Sequence, residues 1–315
     1  MLKLIARRLM LGALTLWAVS ILIFAGTEIL PGDVASAILG QNRTPEAVAA
    51  IRASLGLDRP AAVRYADWLV HFVQGDIGKS LASGRDIGPE IRMRLGNTLF
   101  LALVAACIAV PLAVLIGIVA AMRQNSIFDR LANAFALTAI SFPEFFIAYI
   151  LIVFVSVKLG WFPSFSAIGP DMSLWSKLYA VALPAATLVL AVLAHMMRQT
   201  RAALISVLSS SYVEMAMLKG IANWRIAVQH ALPNAVGPIM TVIAFNLAYL
   251  IIGVVVVEVV FVYPGMGQLM VDAVTKRDVP VVQTCGLVFA GAYVVLNMIA
   301  DLLGILSNPR LRLPR

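Results

Sequence analysis

Residues 97–122 read NTLFLALVAACIAVPLAVLIGIVAAM, with no charged side chain from end to end. About 20 apolar residues in helical form cross the roughly 30 Å hydrocarbon layer of a bilayer, so this one stretch places the chain in lipid. Further apolar runs of similar length lie at about 9–30, 132–158, 179–197, 236–262 and 284–306. Lipid offers the backbone no hydrogen-bond partners, so each run must close its own ladder as a helix. The expectation is an all-α polytopic membrane protein with about six transmembrane helices. Composition agrees: 61% of the 315 residues are hydrophobic and only 13% are charged, against roughly 25% charged in soluble domains, and the mean hydropathy is +0.94.

The first run follows a basic flank, MLKLIARR, as a signal peptide would, but it is too long and no small-x-small cleavage site follows. It reads as a retained first helix. Orientation follows the placement of Lys and Arg in short loops near span ends. With the N-terminus inside, Lys3, Arg7, Arg8, Arg123, Arg130, Arg198, Arg201, Lys219, Arg225, Arg310, Arg312 and Arg315 are cytoplasmic, and only Lys158, Lys177, Lys276 and Arg277 sit in short outer loops. Both termini are thus expected in the cytoplasm. The same distribution accounts for the net charge of +8 without nucleic acid, since no basic stripe lies beside an aromatic platform.

Three regions result: 1–30, the first transmembrane helix; 31–96, a helical segment on the outer side; and 97–315, a core of five further spans. In the outer segment, Pro45 suits a first helical position, and Ala47, Val48, Ile51 and Leu55 recur at helical spacing. LGLDRP breaks that helix, and AAVRYADWLVHFVQG resumes one with Val63, Trp68, Leu69 and Phe72 on one side. Between spans four and five, about 198–235, lies the longest cytoplasmic segment. Val213, Ala216, Met217 and Gly220 share a face of a first short helix there, and Ile221, Trp224, Val228 and Leu232 a face of a second. Asn223 is placed to cap the second piece and Pro233 to end it. A segment broken at Lys219-Gly220 is a compact knob suited to a partner's groove; an amphipathic anchor on the inner leaflet would not need the break.

GDIGKS at 75–80 resembles the tail of a P-loop, but the first glycine of that pattern falls on Val73. The chain therefore carries no ATP site of its own. Cys107 and Cys285 lie in apolar spans as small hydrophobes, and no metal set is spaced for ligation. Glu28, Glu258 and Asp301 fall near span ends, within reach of water. Glu144 follows Ser141, Phe142 and Pro143 in mid-span, where proline bends a helix and an ionisable group is costly, so Ser141, Pro143 and Glu144 are the translocation-pathway candidates. His195, near the inner end of span four, reads as structural. Trp161, Phe162, Phe165, Trp175 and Tyr179 fit an interfacial belt. No nucleophile, base and orienting group converge, so catalysis is not expected.

The segment at 212–235 resembles the cytoplasmic loop of ATP-binding cassette importer permeases, whose pattern is Glu-Ala-Ala, three residues, Gly, nine residues, Ile, one residue, Leu-Pro. Glu214, Ala216, Gly220, Leu232 and Pro233 occupy its positions, with Met215 in place of the middle Ala and His230 in place of Ile. HALPNA, with RRL at the start, LPGD at 30–33, LGLDRP at 55–60, RYADWL at 64–69, GDIGKS, SFPEFF at 141–146, LGWFP at 159–163, EVVFVYPGMG at 258–267, RDVPVVQ at 277–283 and NPRLR at 308–312, resembles the first-permease type of the dipeptide, oligopeptide and nickel subfamily.

That resemblance implies a non-enzymatic permease subunit in the bacterial inner membrane, paired with a second homologous permease. Two cytoplasmic ATPase subunits would bind ATP and Mg, and a periplasmic solute-binding protein would deliver the solute. It makes 198–235 the coupling loop, shaped by Glu214, Ala216, Gly220, Leu232 and Pro233, with Ile221 and Trp224 offering apolar contact to the ATPase groove and His230, which departs from the pattern, counted in the same coupling set. Short peptides are the expected solute; nickel, glutathione and oligosaccharides are the alternatives within the subfamily. A secondary transporter driven by an ion gradient, with Glu144 as proton carrier, would need inverted repeats that the sequence does not display, and a membrane enzyme lacks its catalytic set.

Overall fold

The computed structural model describes residues 2–29, 39, 44–54, 56–222 and 225–307. Among these the chain is helical, apart from loops and a bridge that pairs Lys79 with Asp86. The helices are α1 (Leu2–Ile29), α2 (Pro45–Ser54), α3 (Ala61–Val73), α4 (Ile87–Met122), α5 (Ile127–Ser141), α6 (Glu144–Leu151), α7 (Leu174–Ala180), α8 (Ala182–Leu208), α9 (Ser211–Leu218), α10 (Leu232–Val260), α11 (Met266–Lys276) and α12 (Val279–Ser307). Wide π-helical turns extend α6 over Ile152–Lys158 and lead into α10 over Ile226–Ala231.

Among the described residues, five helical stretches are long and apolar enough to cross a membrane: Ile5–Ile29, Ile87–Met122, Ala182–Leu208, Ile226–Val260 and Val279–Leu302. The third expected span, 132–158, is not one rod. It is two helices, Ile127–Ser141 and Glu144–Lys158, set 101° apart. Two boundaries also move. The second span starts at Ile87 instead of Asn97, and the fourth runs past Met197 to Leu208, so that Arg198–Leu208 belong to the span and not to the loop after it. Helix α11 had no counterpart in the sequence reading. The LPGD and NPRLR motifs, Asn223 and Trp224 lie outside the described residues.

The chain divides into two compact units, 1–9 with 99–263 and 295–315, and 10–98 with 264–294. In the first, α8 is the core helix, with Leu188, Val192, Met196, Met197 and Leu204 all buried. Its neighbour α4 presents a row at every fourth position, Leu101, Ala105, Ala109 and Ala113, all fully buried. Such a row forms a ridge of small side chains along which two helices approach closely. Gly117 continues it: a Cβ there would lie 2.8 Å from the Met197 carbonyl oxygen and 2.9 Å from Thr200 Cβ. Because lipid is as apolar as leucine, this close packing, more than removal from water, holds the helices together.

Two of the acids read as lying at span ends behave differently from each other in this unit. Asp301 pairs with Arg8. Glu258, expected within reach of water, is fully buried. The chain turns back after α10, with the Tyr263 amide donating to the Glu258 carbonyl at 2.8 Å and with Phe261 and Tyr263 themselves buried, and this cover excludes solvent.

In the second unit, Glu28 of α1 receives both Nη atoms of Arg64 from α3, at 2.8 and 2.6 Å, and Phe24 stacks edge-on against Tyr65 at 5.4 Å. The P-loop-like segment is a clipped turn. Asp278, buried after α11, accepts the Leu81 amide at 3.0 Å and the Ser80 hydroxyl. Ile87, Ile91, Met266, Leu269, Val281 and Cys285 form this unit's core.

Candidate functional site

The break between α5 and α6 builds a cavity. Proline disfavours helical backbone in the residue before it, and Phe142 is extended at φ −95°, ψ 132°. Pro143 offers no amide hydrogen to the α5 ladder. Its own carbonyl instead starts α6, accepting from Phe146 at 3.0 Å. Irregular backbone at membrane depth is tolerated where it lines a cavity, and here it lines one of about 470 Å³, bounded by 139–145, by Ala191 and His195 of α8, and by Tyr249, Ile252, Gly253 and Val256 of α10.

Glu144 is the first residue of α6, where the positive end of the helix favours a carboxylate. Its oxygens occupy the space that a side chain at 253 would fill: a Cβ on Gly253 would come within 2.7 Å of Oε2 and 2.9 Å of Oε1. His195 faces Tyr249 across the same cavity, with ring centroids 5.9 Å apart. His195 does not lie at the inner end of its span as expected: α8 continues well beyond it, which puts the imidazole at mid-helix on the cavity wall.

Polar contacts follow α8 from the cavity toward its C-terminal end. Asn246 of α10 is buried and donates to the Gln199 side-chain oxygen at 2.7 Å. Arg201 makes a two-pronged contact with Asp129 of α5, Nε to Oδ1 at 2.6 Å and Nη2 to Oδ2 at 2.8 Å. Asp129 is buried and also accepts the Asn125 amide at 2.9 Å and Asn133 Nδ2 at 2.8 Å. Charge-assisted bidentate pairs are the strong ones, so α5 and α8 are fixed to each other at this end.

Beyond Leu208 the first expected short helix forms as α9, but the second is not a separate piece, because Ile226–Ala231 run straight into α10. Helix α9 closes in a Schellman turn: the Gly220 amide donates to the Met217 carbonyl at 2.9 Å and the Ile221 amide to the Ala216 carbonyl at 3.3 Å. That turn requires a left-handed residue, and Gly220 supplies φ +75°. Val213, Ala216 and Ile226 are buried together, with Ile221 and Leu208 against them. Glu214 is exposed in the first turn of α9, and His230 is half-buried. Pro233 does not end a helix, contrary to expectation; it stands at the start of α10, which continues to Val260. The π-helical turns ahead of it shift the carbonyls that its ring would otherwise strike. They also change the period, so Ile226, Ala227 and Ala231 face inward in place of the expected Val228, which is exposed, and Leu232, which is only half-buried.

Ser141, Pro143 and Glu144 are thus brought together at one cavity, and Ala216, Gly220 and Ile221 at one turn. The sequence reading missed Gly253, although a glycine inside an apolar helix is itself a signal of close approach. It also missed Tyr249 and the Asp129–Arg201 pair, whose members are 72 residues apart and carry no local signature.

Residues 113–313 match the family model described as binding-protein-dependent transport system inner membrane component, and residues 1–86 match the N-terminal model of the same systems. The glutathione transport system permease protein of Salmonella typhimurium strain LT2 is 37% identical over 312 residues, 99% of each chain. The protein of that name from Escherichia coli O6:H1 is also 37% identical over 312 residues, 99% of each chain. A putative peptide transport system permease protein of Brucella abortus strain 2308 is 35% identical over 312 residues, again 99% of each chain. With five helices among the described residues long and apolar enough to cross a membrane, this chain belongs to the inner-membrane components of binding-protein-dependent transport systems, as an importer permease of the dipeptide and oligopeptide subfamily.

Proposed function

We propose that the chain, with a second homologous permease, forms the path by which a short peptide enters the cytoplasm. In this reading a periplasmic binding protein delivers the peptide, and two cytoplasmic ATPase subunits, which bind the ATP and Mg, drive the cycle. Both termini and the segment 209–232 face the cytoplasm. The observation that carries the coupling role is the surface of α9. Met215 and Leu218, three positions apart on one side of a helix locked by a glycine turn, are 55% and 76% exposed and form an apolar ridge shaped for a groove, with Met217 47% exposed beside them. Closure of the ATPase pair pushes on this ridge, and α8 carries the displacement to the cavity wall. From Leu208 to His195 is about 20 Å at roughly 1.5 Å per residue, a span stiffened by the contacts of Gln199 and Arg201. Two alternative packings biased by nucleotide in the partner are the physics required.

The peptide assignment is supported by the names of the relatives, one group for glutathione, itself a tripeptide, and another for peptides. It is tested by reconstituting the chain with its permease, ATPase and binding-protein partners and measuring ATP hydrolysis as each loaded binding protein is added. Stimulation by a peptide-loaded or glutathione-loaded binding protein is the expected result. Stimulation only by one loaded with nickel or an oligosaccharide would replace the solute, and uptake by the chain without ATPases would replace the importer.

A further inference from the structure

We propose that Glu144 receives the ammonium group of the solute, so that the permease itself selects for a free amino group. This deepens the reading above and rests on it. A carboxylate at membrane depth faces a partner or a wet cavity. Glu144 faces the cavity, and among the described residues no Lys or Arg forms an ion pair with it. Its place is prepared, because the missing side chain of Gly253 makes room for both oxygens. Phe142, Phe145 and Tyr249 add aromatic walls, the kind of surface that attracts an organic cation.

The cation that fits is an organic one. A hard metal ion would need several oxygen ligands, whereas Glu144 is the one carboxylate on the cavity wall among the described residues. A soft metal ion would need a cluster of His, Cys, Asp or Glu, and no group of three or more comes together among those residues. A cavity of about 470 Å³ falls in the range of small-molecule sites, roughly 300–1,000 Å³, which is large for a bare ion and suited to a short peptide.

The test is competition binding to the solubilised complex without binding protein, using a radiolabelled dipeptide against the same dipeptide and its N-acetyl derivative, for the wild type and Glu144→Gln. In the wild type, acetylation should weaken binding about tenfold or more, as loss of a charge-assisted contact does. In Glu144→Gln the free dipeptide should weaken by a similar factor while the acetylated one is unchanged. Equal weakening of both peptides, or no change in either, overturns the proposal; a proton-carrying or partner-pairing Glu144 would behave in one of those ways. A wild-type complex that imports the dipeptide but shows no discrimination also overturns it. Failure of every loaded binding protein to stimulate ATP hydrolysis removes the importer reading instead, and is a separate result.

Discussion

Pro143 and Pro233 stand in the same unit of the molecule and do opposite things. Before Pro143 the backbone is extended, and the helices on either side part by 101°. Before Pro233, Leu232 keeps helical angles, φ −59° and ψ −46°, and the helix passes through. The difference lies in the turns ahead of the proline. Helix α5 reaches Ser141 in α-helical form and must stop, while the approach to Pro233 is already widened into π-helical turns that leave room for the ring. A proline therefore marks where a helix must adjust, and the preceding geometry decides whether the adjustment is a break. The break yields a cavity beside Glu144; the continuation yields a rigid root for the knob of α9.

This contrast can be broken in graded steps. Gly220→Pro should abolish uptake while the protein reaches the membrane at its usual level, because proline cannot adopt φ +75°. Gly220→Asn should retain most activity, since Asn tolerates the left-handed region, with Gly220→Ala between them; radiolabelled peptide uptake ranks the three. Pro143→Ala should lower uptake about tenfold, roughly 1.4 kcal/mol, by allowing α5 to run on into the cavity. Asp129→Ala should cost about 2–3 kcal/mol, the loss of hydrogen bonds to a charged group, read as a lowered melting temperature in detergent and partly restored by adding Arg201→Ala. Pro233→Ala should be the mildest, within about 1 kcal/mol and with near-normal uptake, since the helix already passes that point.

Much of this was legible in the sequence, for physical reasons that can be named. Apolar runs show the spans because lipid forces helix on them, and the Gly220 turn was visible because only glycine meets its backbone requirement cheaply. Pro143 announced a bend, although nothing in the local sequence gives its size. The π-helical turns were not legible: no residue type demands them, and a helical period of 3.6 assigned Val228 and Leu232 to the face that Ile226, Ala227 and Ala231 occupy. His195 was misplaced because the hydropathy of α8 falls before its helix ends. The row Leu101, Ala105, Ala109, Ala113 and Gly117 could have been read as a packing ridge, but which helix lies against it depends on contacts remote in sequence.

Coupling requires that the knob at 211–221 and the cavity at Glu144 move as parts of one mechanism. It is tested most directly with Ser141→Cys in a chain lacking Cys107 and Cys285, assembled with its partners, by comparing the rate of thiol labelling without nucleotide and with ATP trapped. ATP is expected to change the labelling rate, and adding Gly220→Pro to remove the difference. Equal labelling with and without ATP in an assembled, ATP-hydrolysing complex, or an undiminished ATP response in the Gly220→Pro form, would contradict it.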